Sequence, residues 1–298
     1  MMGGVKKTPR TKTGFTIIEV MVFLAVSGFT FLIAAVFIDG KEAQAEFTQG
    51  MNNTNLKIQS IINNVAYGNY PQPAGYYLNC TTAGGGLVIT SQAASVGQPS
   101  IQPGCLFIGQ VLIPEVNSNI NSYYDLYSII GCQFLDSNNN CSSTPGAIPT
   151  NLQEENPQVI PTSVLHIAAS QQWPGSVSLA QVFIVDGGKA TQTGAVGFFS
   201  TLPRDNGSVL QNGTQSVGIV EINSYPGEGS SKIISEINSD GSYSDGSIQW
   251  LPNNDYVVMC FNGGNNEKGS ITIGGYNRGA QVNTTMGLGQ ATAAQCAS

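Results

Sequence analysis

Residues Phe15 to Ile38 form an apolar run of 24 residues broken by one charge, Glu19. As a helix this run is about 36 Å long, enough to cross a bilayer core of about 30 Å. Lys6, Lys7, Arg10 and Lys12 precede it without an acid among them, and Asp39 and Glu42 follow it. The positive-inside rule then puts the N-terminus in the cytoplasm and the remainder outside. A secretory signal peptide fits poorly, because its apolar region spans only about 7–15 residues. The small-residue site Ala43-Gln44-Ala45 is also separated from the run by Asp39, Lys41 and Glu42. A plain membrane anchor leaves Glu19 unexplained, since an unpaired acid in a spanning helix costs a few kcal/mol.

Helical periodicity continues past the run. Phe47, Met51, Thr54, Ile58, Ile61 and Val65 step by four and three, which is one face of a helix. Gln49, Asn52, Asn53, Gln59, Asn63 and Asn64 lie largely off that face. Tyr67-Gly68-Asn69-Tyr70-Pro71 carries a Gly and a following Pro, which end the helix. A helix with one apolar stripe needs something to cover it. Gly28, Gly40 and Gly50 are its weak points.

The remainder reads as β-structure. Short apolar runs recur between clusters of Gly, Pro, Asn and Asp: 86–90, 105–113, 123–131, 163–168, 178–185, 195–200, 217–222, 255–261 and 270–273. The clearest hairpin pairs Tyr256–Phe261 with Ser270–Ile273 around a loop at 262–269. Residues 137–155 read as a surface loop. Charged residues are only 10% of the chain, against a usual share of about 25%, which fits a turn-rich β surface. The net charge of −7, near −11 without the four leading cations, excludes a general nucleic-acid binder.

The string Lys12-Thr13-Gly14-Phe15-Thr16-Ile17-Ile18-Glu19-Val20 resembles the cleavage and methylation signal of type IV pilins and type II secretion pseudopilins. The resemblance covers roughly residues 1–40. It implies a leader at 1–14, cleavage between Gly14 and Phe15 by a prepilin peptidase, and methylation of the new Phe15 amine. It also implies that Glu19 pairs with the Phe15 amine of a neighbouring subunit and so sets register during assembly. The implied organisation is a transmembrane and filament-core helix at 15–38, its amphipathic continuation at 39–67 and a disulfide-stapled β-rich head at 68–298. The expected fold is α+β and pilin-like: a long N-terminal helix, half of it transmembrane, packed on an antiparallel β-rich head. The expected function is a minor or major subunit of a type IV pilus serving adhesion, twitching motility or uptake. A pilus-borne adhesin or binding module and a type II secretion pseudopilin are the alternatives. The expected partners are other pilin subunits, the prepilin peptidase, an inner-membrane assembly platform and, before assembly, the membrane itself. The expected location is a single-pass membrane protein that passes into an extracellular pilus.

Six cysteines all follow the apolar run, an even number that supports disulfides in an oxidising compartment. Sequence neighbours suggest Cys80–Cys105, Cys132–Cys141 and Cys260–Cys296, the last similar to the C-terminal disulfide loop of many pilins. Sequence alone leaves the connectivity open. Candidate chemistry is thin, and neither enzymatic activity nor a cofactor is expected. Asp136, Asn138 and Asn140 alternate as oxygen ligands do at the start of a calcium loop. Cys141 replaces its turn glycine and Ala147 its bidentate Glu, so a solvated loop is the expectation. The Asp-Gly pairs of 238–246 read as tight turns. The single histidine, His166, alternates with apolar neighbours and reads as the polar face of a strand. Trp173 and Trp250 read as core or loop anchors.

Overall fold

The computed structural model describes residues 14, 16–68, 76–83, 86–93, 105–115, 123–138, 141–142, 144, 146–149, 156–160, 170–201, 216–222, 224, 230–238, 248–251, 255–274, 282, 284–289 and 293–296. Side chains at 34–40, 81–83, 86, 141, 201, 216, 236, 238, 248–250 and 265 lie outside that description. The chain divides into two compact units, Met1–Ala45 and Glu46–Ser298. Helix α1, Ile17–Ala66, contributes to both.

The second unit is mostly antiparallel sheet. In chain order its strands are β1 Tyr76–Ala83, β2 Gly86–Ala93, β3 Cys105–Pro114, β4 Tyr123–Cys132, β5 Phe134–Leu135, β6 Cys141–Ser142, β7 Gln158–Val159, β8 Ser170–Gln172, β9 Ser178–Asp186, β10 Lys189–Gln192, β11 Val196–Thr201, β12 Ser216–Ile222, β13 Ile248–Trp250, β14 Tyr256–Asn262, β15 Lys268–Gly274 and β16 Thr284–Leu288. A second helix, α2, spans Ser230–Asn238. One sheet has the order β10-β9-β14-β15-β16. The other has the order β13-β12-β11-β3-β4-β7, with β8 also on β4. Hairpins β1-β2 and β5-β6 stand apart from them.

One shared core joins the large sheets to the α1 stripe. Val257, Met259, Phe261, Ile271 and Ile273 come from the first sheet, and Tyr124, Phe198 and Ile219 from the second. All six stripe positions from Phe47 to Val65 are buried. Full burial of a large apolar side chain stabilises by roughly 1.5–3 kcal/mol, so the stripe is a main anchor of this unit. The buried Thr54 donates its Oγ1–H to the Gly50 carbonyl at 2.8 Å, which satisfies it inside the helix. Gln59 Nε2 donates to Thr284 Oγ1 at 2.8 Å and ties the helix to β16. Gly68, at φ +63°, ends α1. Only glycine adopts that left-handed conformation freely.

Successive strand residues face opposite ways, and here both faces are covered. Val258 and Cys260 pack with Cys296, behind the first sheet. Phe199, Val220 and Ile222 pack under Ile233 and Ile237 of α2, behind the second. Helix α2 carries no apolar run that the sequence reading selected, and its two buried isoleucines are four residues apart.

Two expectations are corrected. The expected α+β architecture, a half-transmembrane helix packed on a head, gives way to a chain that is mostly antiparallel sheet. The helical residues that join the β core begin at Phe47, whereas described side chains at 17–33 are exposed. Among the described residues no helix is long and apolar enough to cross a membrane. The expected single-pass membrane stage is corrected on the same ground. The expected strand at 163–168, with His166, lies outside the described residues.

Candidate assembly segment and processing site

Helix α1 begins with a local cap. Thr16 Oγ1 accepts a hydrogen bond from the Glu19 N–H at 3.3 Å, and the Thr16 carbonyl accepts from the Val20 N–H at 3.2 Å. Thr16 is therefore the N-cap, and Thr16-Ile17-Ile18-Glu19 has the sequence of a capping box. The resemblance implies a neighbouring subunit for Glu19, whereas Ser/Thr-x-x-Glu is itself the signal of a helix start at Thr16. Glu19 is exposed in the first turn, where a carboxylate complements the positive end of the helix dipole. Gly14 is exposed, and a Cβ there meets nothing within 4 Å. Packing does not call for a glycine at this position. Phe15 and the residues before Gly14 lie outside the described residues.

Around Glu19 and beyond it the helix surface is largely apolar, and the Ser27 and Thr30 hydroxyls donate back to the Leu24 and Ser27 carbonyls. Ile17, Ile18, Met21, Phe23, Phe31 and Leu32 are between 66% and 79% exposed. Contiguous exposed apolar surface of this kind is characteristic of interaction sites. The later part of α1 differs, because its outward positions are Asn52, Asn53, Lys57, Ser60 and Asn63, with Leu56 alone among them.

The cysteines staple the second unit. Cys80 of β1 is bonded to Cys105 of β3 with Cα atoms 5.6 Å apart, joining the β1-β2 hairpin to the larger sheet. Cys260 of β14 is bonded to Cys296, with Cα atoms 5.4 Å apart. That end is also held by the Ala293 N–H, which donates to Ser270 Oγ at 2.9 Å. Cys132 is disulfide-bonded as well. The side chain of Cys141 lies outside the described ones, though its backbone pairs with Leu135.

The remaining candidates are placed as follows. Asp136 Oδ1 accepts the Asn138 N–H at 2.8 Å, an Asx turn, and Asn140 lies outside the described residues. Among the described residues no group of three or more His, Cys, Asp or Glu could hold a metal ion. Trp173 is buried, 4.2 Å from the ring of Tyr124 and 5.4 Å edge-on from Phe261. Burial pushes the Tyr124 hydroxyl up to about 12, so it stays protonated while its O–H donates to Gln171 Oε1 at 2.9 Å. Trp250 sits on β13, with its side chain outside the description. No protein-family model, curated protein or solved structure matches the chain significantly.

Proposed function

We propose that the chain is a filament subunit of the type IV pilin kind, minor or major, that polymerises through the N-terminal part of α1. The observation that carries this reading is the exposed apolar surface of residues 17–33. Each large apolar side chain left in water forgoes roughly 1.5–3 kcal/mol of burial. A single groove covers one face of a helix, whereas this segment carries large apolar side chains around its circumference. Packing among several like helices, as in the core of a polymer, covers it all round. The signal-like string around Gly14, Phe15 and Glu19 supports the same reading. It brings in a prepilin peptidase, an assembly platform and other pilin subunits as partners. The polar, weakly charged β-rich unit is then the surface of the filament, available for adhesion, motility or uptake.

Mass spectrometry of filaments purified from the producing cells tests this reading. The expected N-terminal peptide starts with N-methylated Phe15. Copy number in the filament separates a structural subunit from an adhesin carried by the pilus. A mature chain starting at Glu46, or a chain missing from the filaments, refutes the proposal.

A further inference from the structure

The two large sheets approach each other at one end of the shared core, where three acids lie. Asp186 ends β9, and Asp255 immediately precedes β14. Val185 and Tyr256 are partners in register, so antiparallel pairing brings Asp186 beside Asp255. Asp255 is 4% exposed, and its Oδ1 accepts the Gly187 N–H at 3.3 Å. The other sheet contributes Glu221 of β12. By strand alternation Glu221 shares the face of Val217 and Ile219, which belong to the core between the sheets. The sheets are close at this level. A Cβ on Gly274 of β15 stands 2.9 Å from Ile219 Cδ1 and 3.2 Å from the Asp255 carbonyl oxygen. Three carboxyl groups from three strand segments and both sheets therefore face one another.

We propose that Asp186, Glu221 and Asp255 form a pH-sensitive clasp that tightens this end of the β core when Glu221 is protonated and loosens it when Glu221 is ionised. Burial, and then the like charges of Asp186 and Asp255, push the Glu221 carboxyl above its ordinary value of 4.5. None of the groups acting on it lowers it. The cross-strand neighbours of Glu221, Val196 and Gln249, are uncharged. Lys189 is exposed and lies opposite Asp186 in the β9-β10 register. A raised carboxyl value means that the folded state holds the proton more tightly than the unfolded chain does. Stability is therefore gained as pH falls through the folded-state value and lost as pH rises through it. The inference is independent of the filament reading.

Backbone hydrogen exchange of the full chain, corrected for the intrinsic rate, tests the clasp on peptides covering 178–192, 216–222 and 255–262. Protection should rise as pH falls from neutral toward the ordinary Glu value of 4.5, no more steeply than about tenfold per pH unit for one titrating group. Glu221→Gln should hold high protection at every pH and abolish the slope. Asp186→Asn, at an exposed site, should fold normally and make the slope shallower. A wild-type slope retained in Glu221→Gln overturns the clasp, as does a wild-type chain with no slope. If near-UV dichroism shows that Glu221→Gln does not fold, Asp186→Asn decides, and an unchanged slope there overturns the clasp.

Discussion

Replacing Gly50 sets helix propensity against packing, and the structure says which wins. Gly→Ala inside a helix ordinarily stabilises by roughly 0.5–1 kcal/mol. At Gly50 the added methyl runs into Val177 Cγ2 and stands 3.1 Å from the Pro174 carbonyl oxygen. Val177 is buried, and its branched side chain has little rotamer freedom. The carbonyl belongs to a turn in which Gly175, at φ +69°, itself lies close to the Gly50 backbone. Neither neighbour yields without a backbone shift. Overpacking of this kind costs about 1–3 kcal/mol, more than the propensity gain. Gly50→Ala should therefore destabilise by about 1–2 kcal/mol net. Val177→Ala removes the obstructing methyl and alone costs about 1–3 kcal/mol from two lost buried groups. In the Val177→Ala background Gly50→Ala should cost less than it does alone, because the Val177 methyl is gone and only the Pro174 carbonyl contact remains. Gly28→Ala is the control, since a Cβ there meets nothing within 4 Å. It should gain helicity. Urea unfolding followed by near-UV dichroism of the buried Trp173 measures each variant. A Gly50→Ala chain as stable as the wild type, or strictly additive effects in the double variant, would refute the packing argument.

Other consequences are sharp enough to measure. Cys296→Ser opens a bridge of sequence separation 36 and should cost about 3–4 kcal/mol in the loop-entropy model, read as a lower urea midpoint. Thiol labelling of the denatured wild type without reductant should find no free cysteine among the described ones. Met51→Ala empties a fully buried site whose Cε lies 2.8 Å from a Cβ on Gly269, and should cost about 2–5 kcal/mol. Gly269→Ala should then be tolerated better in the Met51→Ala background than alone. Glu19→Ala should leave the second unit's stability unchanged and lower the chain's share in filaments, with Glu19→Gln intermediate.

Legibility followed burial. Runs such as 217–222 and 255–261 stood out because β12 and β14 are covered on both faces, so their residues read as continuous apolar stretches. Strand β10, Lys189–Gln192, is exposed along its whole length and has no hydrophobic signal to find. Strand β1 has its signal in the alternation of Leu78 and Cys80, both buried, rather than in a continuous apolar run. Helix α2 has nine residues, too few for periodicity to separate a helix from a strand. The loop at 262–269 proved shorter than expected, because β14 extends to Asn262 and β15 starts at Lys268.

The apolar run at the start of the chain shows where hydropathy stops being informative. A helix that is apolar all round fits a bilayer and fits a bundle of like helices, since both remove the same side chains from water. Its stripe-bearing continuation is different, because Phe47 to Val65 present one face and that face has one cover, the β core. Glu19 is legible in two ways for a related reason. In the first turn its carboxylate acts on its own helix through the dipole, worth about 0.3–1 kcal/mol. As the partner of a neighbour's amine it acts between chains, where losing one member of a buried pair costs about 3–5 kcal/mol. The two roles predict different sizes and different places for the same substitution. A small loss of helicity in the isolated chain marks the dipole role, whereas a large loss of assembly in an otherwise intact chain marks the pair.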